Sequence, residues 1–367
     1  MIENSQKLRQ AFLSLLRAGL WGSDPDCEGF PLDVQEWEEL HLQAQKQTVE
    51  GLIYDGILRL PIALFPPSLL MLRWTARIDD MERRNMRMNK AIGNINRWLE
   101  NAGTTAWLMK GQGVATCYQH PLHRQCGDID LYFPNASDGD KVIQLLNAEG
   151  ITVEHQAGMS VVYWKEGCMI DQHMRLIDIH NPLMNRYLKQ LIEAEAEQVV
   201  RWKTEEGENI TLPSPLLAHL LSNAHILKHL MAVGIGFRQL CDSARICYQY
   251  HQCIDGQKLK KVYRKVGIYR WAQVLHRVLV EDLGMPEEYL PFPLSATKDT
   301  GWMRDVWSGG NFGFYDKRIG GAATEKRGKR MFRMLRYHLV PQIRYAPLEA
   351  FWFPLIQVFT RYHKRDE

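Results

Sequence analysis

Apolar residues recur at helical spacing over the first hundred positions. The segments QKLRQAFLSLLRAGL and DVQEWEELHLQAQKQTVEGLIYDGILRL both carry them three or four apart, so residues 1–103 are expected to form a helical region. Pro61, Pro66 and Pro67 interrupt it. A long helix is predicted from Ser68, because Leu70, Trp74, Ile78, Met81, Met88, Ile92, Ile95 and Leu99 make one stripe. Gly103 stands where a helix stop favours glycine. That stripe is read as core.

Between 104 and 180 the period changes. TTAWLM reads as a short buried strand, and GQGVATCYQ as a helix starting directly after it. DIDLYF reads as a second strand, DGDKVIQLLNAEG as a helix ending at glycine, and ITVEHQ as a third strand. SVVYWKEGCMIDQHMRL has the pattern of a hairpin turning at Glu166-Gly167. From Asn181 onward helices return, notably PSPLLAHLLSNAHILKHLMAVG and GFRQLCDSARICYQYHQ. The expected fold class is α+β: a small mixed β-sheet core over 104–180, flanked by helical regions at 1–103 and 181–367. SGGNFGFYDKRIGGAATEKRGKR is expected to be a flexible loop. Its GGNFG lacks a preceding strand and a following Lys-Ser/Thr, so it is a candidate lid and not a phosphate loop.

Composition narrows the class. The 367 residues are 46% apolar and 24% charged, which suits a globular chain with a sizeable core. A net charge of +3 does not argue for nucleic acid. Seven cysteines without a CxxC pair, behind a start that reads as a helix and not as an export signal, fit reduced thiols in a cytoplasm. No apolar run reaches the ~18 residues of a membrane span, so no membrane partner is expected.

The chemistry concentrates in MKGQGVATCYQHPLHRQCGDIDLYF, residues 109–133. A glycine between strand and helix lets a backbone approach a phosphate, and a following helix N-terminus offers free N–H groups. Asp128 and Asp130 share one face of a strand, about 7 Å apart. Two like charges so placed repel each other, but they suit divalent cations bound to a triphosphate. Asp171, in CMIDQHMRL, is placed to supply a third carboxylate from a neighbouring strand; Asp178, in LIDIH, is the alternative.

The Lys-Gly, Tyr118, Pro121, Arg124 and Gly-Asp-Ile-Asp-Leu arrangement resembles the nucleotidyltransferase superfamily of the DNA polymerase β type. Within it, the chain is similar to the bacterial group of uncharacterised nucleotidyltransferases. IDQHMRL and HILKHLMAVGIGFRQLCDSA extend that likeness over most of the chain. The resemblance implies Mg²⁺ or Mn²⁺ as cofactor and an NTP as substrate. It also implies transfer of an NMP to an acceptor hydroxyl with release of pyrophosphate. It makes Asp128, Asp130 and Asp171 metal ligands, with Asp171 also a candidate general base. Lys110, Gly111, Gln112 and Arg124 become nucleotide-binding candidates. His173, His229, Arg238 and Asp242 become candidates for an acceptor cleft. The superfamily's turn has glycine followed by Gly or Ser, whereas this chain has Gln112 with a glycine one place later.

Other readings compete. His225 and His229 lie four apart, but Ile226 stands where a zinc protease needs glutamate. One of the two histidines is expected in the core and the other in the cleft. Arg238 and Asp242 compete as a purely structural ion pair. Residues 317–345 carry nine Lys/Arg against Glu325, a solvated face more than an RNA contact, although Phe332 and Tyr337 suit stacking. The acceptor is left open among a small molecule, a sugar, a tRNA and a protein. A binding module of the same fold without turnover is the rival, and Gln112 is its support.

Overall fold

The computed structural model describes residues 2–156, 160–294, 301–318 and 333–363. It opens with α1 (Ile2–Trp21), α2 (Val34–Lys46) and α3 (Glu50–Ile57). Asp33 starts α2 with a capping box, its side chain accepting from the Glu36 N–H while Glu36 reaches back to the Asp33 N–H. The predicted stripe becomes α4 (Ser68–Asn101), 34 residues and about 50 Å long. It ends at Gly103, whose φ of 65° places it in the left-handed region that favours glycine.

One position breaks the stripe. Buried Asn85 lies between the apolar residues that meet the helical region and those that meet the sheet. Its side-chain amide donates to the carbonyls of Leu122 (2.6 Å) and Arg124 (3.0 Å), and so pins the loop below the sheet.

The core segment contains β1 (Trp107–Leu108), α5 (Gln112–Ala115), β2 (Ile129–Tyr132), α6 (Ala136–Ala148), β3 (Glu154–Gln156), β4 (Ser160–Lys165) and β5 (Cys168–His173). The sheet order is β1-β2-β5-β4-β3, with β2 and β5 parallel and the other pairs antiparallel. The hairpin turns where expected, with positive φ at both Glu166 and Gly167, as a type I′ turn requires. Ile129, Leu131 and Ile170 face an apolar cluster shared with α4 and α6, so alternation sends Asp130 and Asp171 to the opposite face.

Two expectations need correction. The helix read after Gly111 is a single turn, α5, and has no developed dipole to aim at a phosphate. A hairpin, β6 (Val200–Lys203) with β7 (Asn209–Leu212), interrupts the region read as helical from Asn181; it follows α7 (Asn185–Ala194). Ile210 and Leu212 are buried in the same cluster as Leu108 and Ile92, which gives the hairpin its place.

Then come α8 (Pro215–Ala232), α9 (Phe237–Tyr250), α10 (Gly256–Val266), α11 (Tyr269–Glu281) and α12 (Met303–Gly309), and a final helix at Pro347–His363. Their apolar faces join those of α1–α3 in one large cluster. The chain is thus α+β, with helices enclosing a small mixed sheet. Among the described residues no helix is long and apolar enough to cross a membrane.

Candidate active site

Beneath α8 and α9, the polar face of the sheet borders a cavity of about 260 Å³. Its floor comes from the turn after β1 and from β2 and β5: Lys110, Gly111, Asp128, Asp130, Asp171 and His173. Its wall comes from Ser222, His225, Lys228 and His229 of α8 and from Arg238 and Asp242 of α9. Gly111 carries φ 58° and ψ −120°, a backbone that suits glycine, and a Cβ there would lie 3.3 Å from the Asp128 carbonyl.

The carboxylates are held by register. Asp130 on β2 lies directly opposite Asp171 on the parallel strand β5, and Asp128 immediately precedes β2. Lys110 Nζ donates to Asp130 Oδ1 at 3.1 Å. His173 Nε2 lies 2.7 Å from that oxygen and 3.3 Å from Asp171 Oδ2. Burial would raise the Asp130 carboxyl, but Lys110 and His173 outweigh it and hold the group well below the usual carboxylate range. Asp128 is pushed the other way, by burial and then by the charge of Asp130.

Asp130, Asp171 and His173 present donor atoms within 4.8 Å of one another. Asp171 Oδ1 is buried and has no hydrogen-bond partner among the described residues. A set dominated by carboxylate oxygens, one of them orphaned, fits a hard divalent cation such as Mg²⁺ or Mn²⁺.

Asp178 is engaged elsewhere. Its Oδ2 lies 2.9 Å from His225 Nδ1, and its Oδ1 accepts from Lys228 Nζ at 2.9 Å. Burial first, then the charge of Lys110, lowers His225 to about 4, and burial first, then His225, takes His229 well below its ordinary value. Both rings are therefore neutral near pH 7, and both line the cavity.

Not every candidate faces the cavity as expected. Gln112 is buried, and its amide donates to Asn85 Oδ1 at 3.1 Å, away from the phosphate turn. The buried Arg–Asp pair exists, but with a different arginine: Arg124 grips Asp242 with two bonds of 2.8 and 2.7 Å, and Tyr118 adds a third of 2.7 Å. The Arg124 guanidinium, a nucleotide-binding candidate, lines the cavity while bonded to Asp242. Arg238 Nη1 donates to the Gln125 carbonyl at 3.1 Å, while its Nε is buried without a partner among the described residues. Its charge faces the cavity.

Two contributors escaped the sequence reading. Lys228 had no motif to mark it. Phe312 sits in the segment read as a flexible lid, and 309–313 packs on the turn between α8 and α9: Gln239 Nε2 donates to Asn311 Oδ1 at 2.8 Å, and a Cβ on Gly313 would meet the Val233 carbonyl at 1.9 Å. Phe312 has φ 52° and sets its ring 4.9 Å from that of His229, closing one side of the cavity. A left-handed aromatic residue is a strained choice, and strain of this kind collects at functional sites. Much of the basic run, 319–332 with Phe332, lies outside the described residues; Tyr337 lies under the Arg318 guanidinium at 5.3 Å.

A solved structure similar to this chain is that of an antigenic nucleotidyltransferase-like protein from Paracoccidioides brasiliensis. The two share 14% identity at a TM-score of 0.33, over 54% of this chain and 93% of that one. No curated protein matches the chain. A family match described as "Uncharacterised nucleotidyltransferase" covers residues 33–281, well over half of the sequence. With its paired carboxylates at a glycine turn, the chain belongs to that uncharacterised nucleotidyltransferase family.

Proposed function

We propose that this cavity transfers a nucleoside monophosphate from an NTP to an acceptor hydroxyl, releasing pyrophosphate, with Mg²⁺ or Mn²⁺ as cofactor. The observation that carries this reading is the convergence of Asp128, immediately before β2, with Asp130 and Asp171 of two adjacent strands on one cavity, which Arg238, without a carboxylate partner among the described residues, also lines. Asp128, Asp130 and Asp171 would hold the cation, with His173 beside them. When bound, it supplies charge neutralisation on the triphosphate and on the oxyanion that leaves.

The chain's own groups divide the remaining work. Gly111 allows the backbone close to the phosphates, and Lys110 and Arg238 supply positive charge at the floor and the wall. His225 is neutral, and Asp178 fixes its Nδ1–H, leaving Nε2 as the lone-pair nitrogen. In this reading the acceptor hydroxyl gives its proton to His225 and its oxygen bonds to the α-phosphorus. The bond from that phosphorus to the bridging oxygen breaks, and pyrophosphate leaves with the electron pair. Asp171 keeps its carboxylate for the cation. Gln112, which departs from the superfamily's glycine turn, faces Asn85 and takes no part in this reading.

The test is transfer of label from each α-³²P-NTP, with Mg²⁺ or Mn²⁺, into small-molecule, RNA and protein fractions of a cell extract. Label in one fraction, absent with Asp130→Asn protein, names the acceptor class. No label in any fraction, with NTP binding intact, would leave only the binding module.

A further inference from the structure

Away from the cavity, three helices bring His219 of α8, Cys247 of α9 and His276 of α11 together inside the C-terminal helices. Their ligand atoms all lie within 4.8 Å of one another, and the residues are 1%, 1% and 0% exposed. Around them runs a polar network with consistent roles. Ser243 Oγ donates to Asn223 Oδ1 at 2.7 Å, and Asn223 Nδ2 donates to the Tyr263 hydroxyl at 2.9 Å. That hydroxyl lies 3.3 Å from the His219 carbonyl and 2.8 Å from His219 Nδ1, so it anchors that edge of the ring. His219 Nε2 lies 3.1 Å from Cys247 Sγ.

His276 breaks the pattern. Its ring packs at right angles to His219, with centroids 5.4 Å apart, and against Phe292 at 4.8 Å, yet neither of its nitrogens has a hydrogen-bond partner among the described residues. A buried polar group left unpaired is destabilising, and a leucine would fill such a position without that cost. A buried orphan imidazole beside an oriented imidazole and a thiol needs a partner that hydrogen bonding does not supply.

We infer that His219, Cys247 and His276 form a binding site for a thiophilic, closed-shell metal ion, Cu⁺ or Zn²⁺. Two imidazole nitrogens and one sulfur, with no carboxylate in the cluster, suit soft and borderline ions and not Mg²⁺ or Ca²⁺. The hydrogen bond between His219 Nδ1 and the Tyr263 hydroxyl is the kind of outer contact that orients a metal-bound histidine. Binding requires Cys247 to release its thiol proton to solvent, since the thiolate is the ligand. Thiolate with Cu⁺ leaves the cluster uncharged, whereas Zn²⁺ leaves one positive charge in an apolar interior. Charge balance therefore favours the monovalent ion. The ion would tie α8, α9 and α11 together, and α8 and α9 carry the cavity wall. The site stands independently of the transfer reaction.

Because the cluster is closed to solvent, the full-length chain should be refolded anaerobically with Co²⁺, Zn²⁺ or Cu⁺, in excess Mg²⁺, then desalted and its metal counted. Cobalt bound to a thiolate adds a near-ultraviolet charge-transfer band that the carboxylate site cannot give. The expected result is one equivalent per chain, retained in Asp130→Asn/Asp171→Asn protein and lost in Cys247→Ala and His276→Leu proteins. Metal should raise the wild-type Tm by about 5 °C or more and leave that of Cys247→Ala unchanged. Should His276→Leu fail to fold, the smaller Cys247→Ala change still decides. Folded wild-type protein that takes up none of the three ions, or uptake unaffected by Cys247→Ala, would overturn the inference.

Discussion

Asp130 and Asp171 are register partners on parallel strands, and His173 Nε2 lies within 3.3 Å of a carboxylate oxygen of each. Register fixes their separation more firmly than side-chain packing could, because a one-residue slip of either strand would turn its aspartate into the apolar cluster. Asp130→Asn or Asp171→Asn should therefore keep the fold while lowering nucleotidyl transfer by at least about 10²-fold. Steady-state label transfer beside a thermal melt checks both halves of this expectation.

Among the described residues Arg238 has no carboxylate to hold it, and its Nε is buried without a partner. Its replacement should be felt by an anion more than by the fold. Arg238→Gln is expected to raise KM for NTP by about tenfold while changing Tm little. A large Tm drop with unchanged KM would give Arg238 a structural role instead.

His225 is neutral and held by Asp178 through Nδ1. His225→Gln keeps a donor toward Asp178 but removes a basic nitrogen. It should lower kcat by about 10²-fold or more while nucleotide affinity, read by equilibrium dialysis, stays within about threefold.

The buried pair of Arg124 and Asp242 should behave as a unit. Arg124→Met leaves a carboxylate without its cation, a loss of about 3–5 kcal/mol, whereas Arg124→Met with Asp242→Leu should recover much of that. Urea unfolding of the wild type, the two single variants and the double variant closes the cycle.

Glu50 sets an acid limb. Burial alone would raise its carboxyl, but His41 of α2, 3.4 Å away, and Arg77 of α4, bonded at 2.6 and 2.9 Å, bring it down to about 2. A depressed carboxyl stabilises the fold above its unfolded pKa, and that contribution disappears as pH falls through the folded value. Stability should therefore drop between about pH 5 and pH 2, by on the order of 1–2 kcal/mol given that Arg77 is half exposed. Glu50→Gln should flatten that limb in pH-dependent melts.

What the sequence revealed was local. Period-two alternation placed Asp130 and Asp171, and Gly103 and the Glu166-Gly167 turn followed from backbone chemistry that neighbouring residues decide. The hairpin β6–β7 was also readable, since Val200, Trp202, Ile210 and Leu212 alternate around EEGEN, but the helices on either side drowned it. The single turn of α5 was not readable, because GQGVATCYQ has nothing in it that stops a helix. Nor was the choice of Arg124 over Arg238 as partner of Asp242, which depends on where α9 docks more than a hundred residues later. Asn85 could be seen only as a polar gap in an apolar stripe. Its reason lies in two carbonyls of a distant loop.

The two halves of the cavity are also separated in time. The floor, with its carboxylates, is complete once β5 has been synthesised, while Arg238 and Asp242 belong to a helix made some sixty residues later. A growing chain on the ribosome therefore carries exposed carboxylates opposite no wall, and Arg124 waits with its charge unmatched. The cavity closes only when α9 has emerged and docked. The wall residues are thus the last part of the cavity to be made.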